Sequence, residues 1–397
     1  MPSIKLTCHC GAASQTLDLR LPQSTDGVPL TELTICHCAT CRHSTGQLFA
    51  SYLPLPAGLE PGLDGLRAWS SPSGQSVRYF CTRCGCHVFI QRDTGWSVAT
   101  GTIVSEPDEF GARFVQHRNV ADAGDGGLAP FLKAIDGVEL SSDMPMPSSP
   151  ETQARTPSAT DILPASCACK AVSLLISRPD ASSLLPHSHF PDLMVAYRDA
   201  SPANPSDVKW WLCPRSTTDH TEPVDIANAT GYLAGTCACQ TCRLVSGFEI
   251  QSWAFIPEGN IRIRCAAPPA ADTATDVSST EDFQPLATFF SDPLHSQRTG
   301  NLGSYASSPG VTRNFCVHCG ATIFWRGRHG GPSLIDVSAG LLRAESGARA
   351  EAEGWLQWWK GRVSFAEEAS LGREGAAARR AIALVKGLED GMGEDNT

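Results

Sequence analysis

The sequence predicts a mainly β protein made of two tandem copies of one cysteine-rich module and closed by a short C-terminal helix. Three observations predict it. Pro and Gly number 28 and 35 of 397 residues, which favours turns and short elements over long helices. Short apolar runs at 47–53, 87–90 and 321–325 contain aromatic or β-branched residues and are bounded by turn formers, as strands are. Finally, one order of cysteine motifs runs through the chain twice.

The first pass reads Cys8-His9-Cys10-Gly11, then Cys36-His37-Cys38-Ala39-Thr40-Cys41-Arg42, then Cys81-Thr82-Arg83-Cys84-Gly85. The second reads Cys167-Ala168-Cys169, then Cys237-Ala238-Cys239-Gln240-Thr241-Cys242-Arg243, then Cys316-Val317-His318-Cys319-Gly320. The two passes use 14 of the 17 cysteines. Agreement extends to neighbours: Arg78 and Phe80 precede Cys81 as Arg313 and Phe315 precede Cys316, and Gly46 and Gly247 follow the triads at one spacing. The resulting division is a first domain over 1–137, a Ser/Pro/Thr-rich linker over 138–166 and a second domain over 167–397. The second copy is longer through inserts near 178–223 and 266–285, the latter expected to be mobile, and a helical period over 376–388 supplies the C-terminal helix.

A net charge of −10, from 41 acidic against 31 basic residues, opposes binding to a polyanion, so no nucleic-acid partner is expected. No apolar stretch approaches the roughly 20 residues of a membrane span, and the N-terminus lacks an apolar signal core. A cytoplasmic location is therefore expected. In that reducing setting clustered cysteines are metal ligands more often than disulfides.

A Cys-x-x-Cys turn brings two thiolates to neighbouring corners of a tetrahedron, and zinc needs four ligands there. Cys8, Cys10, Cys81 and Cys84 make one four-thiolate structural set, and Cys167, Cys169, Cys316 and Cys319 make the other. The triads Cys36, Cys38, Cys41 and Cys237, Cys239, Cys242 offer three thiolates each, with no fourth cysteine recurring in both copies. Three ligands and a vacant position are the pattern of a catalytic zinc, so up to four Zn²⁺ per chain are expected. A fourth ligand such as His37, His43 or His117 would close the first triad instead, but the positions of His37 and His43 become Ala238 and Leu244 in the second copy. Cys86, Cys213 and Cys265 are left as ordinary thiols.

On these three motifs in this order, both halves resemble the glutathione-dependent formaldehyde-activating enzyme family, which includes centromere protein V. The resemblance implies a β-tent fold, a four-cysteine structural zinc, and a three-cysteine zinc acting in a carbon–sulfur lyase reaction that joins formaldehyde to glutathione. It assigns the two four-cysteine sets to the structural sites and the triads to the active sites. Lys170 stands where the motif has Gly.

Charge refines the chemistry. Three thiolates leave the zinc site net negative and a weak activator of water, but suited to holding an incoming thiol as a nucleophile. Glutathione as thiol cosubstrate, with an aldehyde or a larger conjugated metabolite, is the expected partner. Arg42 and Arg243 are expected to offset the triad charge, and Arg78 and Arg313 to position a substrate carboxylate. Seven of the nine tryptophans lie in the second copy, where Trp210-Trp211 is a candidate wall for an aromatic substrate. The competing expectation is a non-catalytic, zinc-stabilised protein-interaction module with closed triads.

Overall fold

Period-two burial builds the core of each half. Ile4 and Leu6 of strand Ser3–Leu6, and Leu33 and Ile35 of Glu32–Cys36, point inward while their neighbours face outward. The computed structural model describes residues 3–19, 31–107, 111–143, 157–198, 200–215, 224–268, 282–291, 300–327 and 332–394. The chain is mainly β, as the sequence predicts, with short helices between strands.

The central sheet of the first half runs Ser141–Ser142, Arg113–Arg118, Glu32–Cys36, Ala50–Pro54, Gly95–Ala99, His87–Arg92, Val77–Cys81, Leu66–Ser70. The second half repeats the last six strands of this order as Gly231–Cys237, Gln251–Pro257, Leu334–Ser338, Thr322–Gly327, Val311–Cys316, Leu302–Ser308. In each half the strand that ends at the first triad cysteine leads into a seven-residue helix, Ala39–Thr45 or Gln240–Ser246. The ends of the expected linker are themselves strands, since Val138–Glu139 and Ser141–Ser142 pair in the first half and Ile162–Ser166 in the second. Residues 144–156 of that stretch, and 269–281 of the expected mobile insert, lie outside the described residues.

The halves meet in reciprocal pairs. The His9 amide donates to the Leu244 carbonyl at 3.0 Å, and the Ala168 amide donates to the His43 carbonyl at 2.8 Å. Gly101 donates to the Gly247 carbonyl as Gly340 donates to that of Gly46, each at 3.0 Å. Phe315 lies against Gly85 as Phe80 lies against Gly320. Between them Gln47 Nε2 donates to Gln251 Oε1 at 2.7 Å in the buried interior. This two-fold exchange is the pattern of an isologous dimer, made here within one chain.

The C-terminal helix, Gly375–Glu394, is longer than the periodic stretch at 376–388, and it packs on the opposite half from the one assigned by the boundaries. Arg380 pairs with Glu106 at 2.7 Å with both side chains buried, and Gly387 and Gly391 approach the Ala134 and Phe131 carbonyls too closely to carry a side chain. Arg373, just before the helix, bonds Glu249 at 2.6 Å and the carbonyls of Thr100 and Gly101. The helix thereby straps the second half to the first.

Gly247 has a φ of 90°, and a Cβ there would collide with the His87 carbonyl across the interface. Gly74 has a φ of 71° with nothing near it. Gly74→Ala should therefore lower the unfolding free energy by about 1–2 kcal/mol from backbone strain alone. Gly247→Ala should cost about 1–3 kcal/mol more, measured by denaturant unfolding.

Candidate metal centres

Cys8 and Cys10 follow strand Ser3–Leu6 in a turn, and Cys81 and Cys84 close the turn after Val77–Cys81. Their sulfurs lie together, with Cys8 and Cys10 at 3.5 Å and Cys10 and Cys81 at 3.5 Å. The second set repeats this, with Cys167 to Cys169 at 3.5 Å and Cys169 to Cys316 at 3.4 Å. In each set all four sulfurs fall within 4.8 Å of one another, near the edge of about 3.8 Å expected for a tetrahedron with 2.3 Å metal–sulfur bonds. Gly11 turns the first Cys-x-Cys loop at φ 77°, and Lys170 takes the same left-handed conformation at φ 58°, so the loop survives loss of the glycine.

Charge explains why such a set suits a cation. Hydrogen bonding to Cys81 pushes the Cys8 thiol up to about 12, and the reciprocal bond holds Cys81 down at about 2. Four adjacent sulfurs do not all ionise alone, whereas a divalent ion at their centre stabilises every thiolate.

In the triads, Cys36 and Cys237 end strands, while Cys38 and Cys239 cap the following helices, their sulfurs accepting from the amides of Cys41 and Cys242 at 3.3 Å. Each triad groups its three sulfurs within 4.8 Å, and among the described residues no histidine or carboxylate joins any of the four clusters. His37 Nε2 instead bonds His117 Nδ1 at 2.9 Å, and His43 Nδ1 bonds the Gly340 carbonyl at 2.9 Å. Burial holds His37 and His43 down at about 3, so both are neutral. Cys86 faces the His87 carbonyl, and Cys213 and Cys265 also stand outside the clusters.

The recurrent arginines differ in what they touch. Arg42 donates from Nε to the His37 carbonyl and from Nη2 to the Asp122 carbonyl, and Arg243 donates to the Gly101 and Leu371 carbonyls. Neither has a hydrogen bond to a triad sulfur. One residue further along a helix turns a side chain about 100° away, so the residue after the last cysteine leaves the sulfur face. Arg78 and Arg313 reach the sulfurs directly, Arg78 Nη2 donating to Cys41 Sγ and Arg313 Nη2 to Cys242 Sγ, each at 3.3 Å, while Arg42 and Arg243 act on Cys38 and Cys239 through charge alone. Cys41 and Cys242 are held well below the usual thiol range, first by bonds from the other two triad cysteines and then by these guanidiniums.

The two triads differ in what surrounds them. Cys41 packs against Tyr52, Ile90, Ala99 and Phe248, and Asn119 Nδ2 donates to Cys36 Sγ at 3.2 Å. Cys237, Cys239 and Cys242 line a cavity of about 770 Å³, walled by Trp210, Trp253, Phe255, Trp325 and Phe365 and holding Asp336 and Arg313. The insert supplies one wall, as the tryptophan pair suggests for Trp210, while Trp211 is buried and donates to the Ser183 carbonyl. Asp192 pins that wall by accepting from the amides of Tyr197 and Phe365 and pairing with Arg362 at 3.1 Å. The sequence reading did not single out Asp336 or Phe365. The available signal was an acid placed among apolar residues in Leu334–Ser338, a strand otherwise fit for the core.

Residues 3–115 match the family described as glutathione-dependent formaldehyde-activating enzyme, a span that contains all seven motif cysteines of the first half. The resemblance read from the motifs is thereby borne out for that half. No curated protein and no solved structure matches the chain. The first half is thus similar to glutathione-dependent enzymes, and the four cysteine clusters can hold metal ions.

Arg42→Met and Arg243→Met should each lower the unfolding free energy by about 1–3 kcal/mol by leaving buried carbonyls unpaired. Metal analysis should find the ion content per chain unchanged in both. Loss of an ion from either would return these guanidiniums to the triads.

Proposed function

We propose that the chain is a zinc-dependent carbon–sulfur lyase or transferase acting on glutathione or on a glutathione adduct of an aldehyde or larger metabolite. The second triad is its working site. The observation that carries this reading is the placement of Cys237, Cys239 and Cys242 in the wall of a roomy cavity beside Arg313. Two four-cysteine zinc ions serve as structural staples, with Cys8, Cys10, Cys81, Cys84 holding one and Cys167, Cys169, Cys316, Cys319 the other. The match of residues 3–115 to a glutathione-dependent family supports the cosubstrate.

Zinc on the triad supplies the positive charge that keeps a bound thiol ionised and nucleophilic. The chain's own groups do the rest. Three thiolates and an incoming fourth make the site strongly negative, and the buried Arg313 guanidinium offsets that charge from 3.3 Å. Arg313 Nη1 is buried and has no hydrogen-bond partner among the described residues. The wall of Trp210, Trp253, Phe255, Trp325 and Phe365 lowers the polarity beside the sulfurs. An interaction module with closed triads accounts less well for a cavity opening on the sulfur ligands.

Cobalt substitution tests the reading directly. Adding glutathione to the cobalt-loaded chain should change the sulfur-to-metal absorption, and Cys239→Ala should remove that change and abolish turnover while the chain stays folded. Cys38→Ala should retain most of the turnover. A spectrum indifferent to glutathione would overturn thiol coordination.

A further inference from the structure

The two halves place different side chains at matching points of the same sheet, and the difference falls on the cavity. Across the first sheet Trp69 pairs with Arg78, Arg78 with Ile90, Ile90 with Ser97 and Ser97 with Pro54. Across the second, Tyr305 pairs with Arg313, Arg313 with Trp325, Trp325 with Asp336 and Asp336 with Phe255. Directly paired residues share a face, so one rung presents Arg313, Trp325, Asp336 and Phe255 together to the cavity. Where the first half carries Asn119 at φ 56°, donating to a triad sulfur, the second carries Phe365 at φ 53° in the cavity wall. With Trp325, Asp336, Phe255 and Phe365 where the first half has Ile90, Ser97, Pro54 and Asn119, the second site is more aromatic and gains an acid.

The guanidiniums are also tied differently. Arg78 donates from Nη1 and Nη2 and leaves Nε unpartnered among the described residues, whereas Arg313 donates from Nε to Ser307 at 3.3 Å and from Nη2 and leaves Nη1. Asp336 has no hydrogen bond or ion pair to Arg313, although the two stand only one strand apart. Burial pushes the Asp336 carboxyl well above the ordinary carboxylate range, and Arg313 opposes this. Cys237, Cys239, His187, His189, Asp192, Tyr197 and Asp207 are other titratable groups along the cavity.

We propose that the second-half cavity takes a glutathione adduct of a bulky aromatic carbonyl compound, and that Asp336 exchanges the proton on its carbonyl oxygen. The proposal rests on the lyase reading above. In the forward step the glutathione sulfur forms a bond to the carbonyl carbon, the C=O π pair moves to oxygen, and that oxygen takes the Asp336 proton. The proton released when glutathione ionises restores Asp336, so thiol and aldehyde give a hemithioacetal with nothing oxidised. Cleavage reverses each transfer. Ser97 at the matching position of the first half is not an acid, which makes the first triad unequal to this step.

Three measurements on the metal-loaded full chain test this. Tryptophan fluorescence should show S-benzylglutathione binding about tenfold tighter than S-methylglutathione, the size of one good aromatic contact. Trp325→Ile, which copies the first half, should erase that margin. Infrared spectra should contain a protonated-carboxyl band that is absent from Asp336→Asn. With glutathione and phenylglyoxal, Asp336→Asn should lose about 100-fold in kcat while keeping its affinity for S-benzylglutathione. Equal binding of the two probes, a band that persists in Asp336→Asn, or full turnover by that variant overturns this inference and leaves the lyase reading standing. Absence of turnover together with a cobalt spectrum indifferent to glutathione overturns both.

Discussion

The backbone exchange between the halves is the constraint on which the rest of the structure depends. Main-chain donors and acceptors buried in an interface must find partners, and here they find them across a pseudo-two-fold axis: His9 with Leu244, Ala168 with His43, Gly101 with Gly247, Gly340 with Gly46. Such close backbone approach requires glycine at the crossing points, which is why Gly46 and Gly247 recur at one distance from their triads. The helices that carry the last triad cysteine are therefore fixed at their far ends by the opposite half. Sulfur geometry and interface geometry are one problem, solved by the same seven-residue segments.

Arginine divides between these tasks. Arg42 and Arg243 satisfy buried carbonyls and hold loops in place, while Arg78 and Arg313 meet the sulfurs. Both pairs recur, both are buried, and both sit close to cysteine motifs in the chain. They differ in the element that bears them: a helix directs its side chains around an axis, and a strand directs alternate ones to a single face. Arg78 and Arg313 sit in strands that pass beneath the triads, which sets their reach.

The cysteine clusters were legible because metal geometry is local, with spacings of two or three residues already bringing sulfurs to neighbouring corners of a site. Strand runs such as 87–90 were legible from composition for the same local reason. The arginine roles were not, because they turn on which face a helix residue leaves and which strand lies opposite. Nor was the cavity, since its rung joins Phe255 to Arg313, Trp325 and Asp336 across strands distant in the chain. Lys170 shows the opposite error of strict motif reading, for the loop tolerates a non-glycine residue in the left-handed region. The C-terminal helix was visible as a period, but a period names a buried face and not the surface that buries it.

That last element ties the solvation of one half to the docking of the other. The face of the first half around Glu106, Phe131 and Ala134 is covered by Gly375–Glu394, the end of the described chain. Wherever that helix lifts from its seat, this apolar face and the Glu106 side chain within it lose their cover. Local opening of one element thus exposes surface in the other half, and amide protection around Phe131 and Ala134 reports on the docking of a helix distant in sequence.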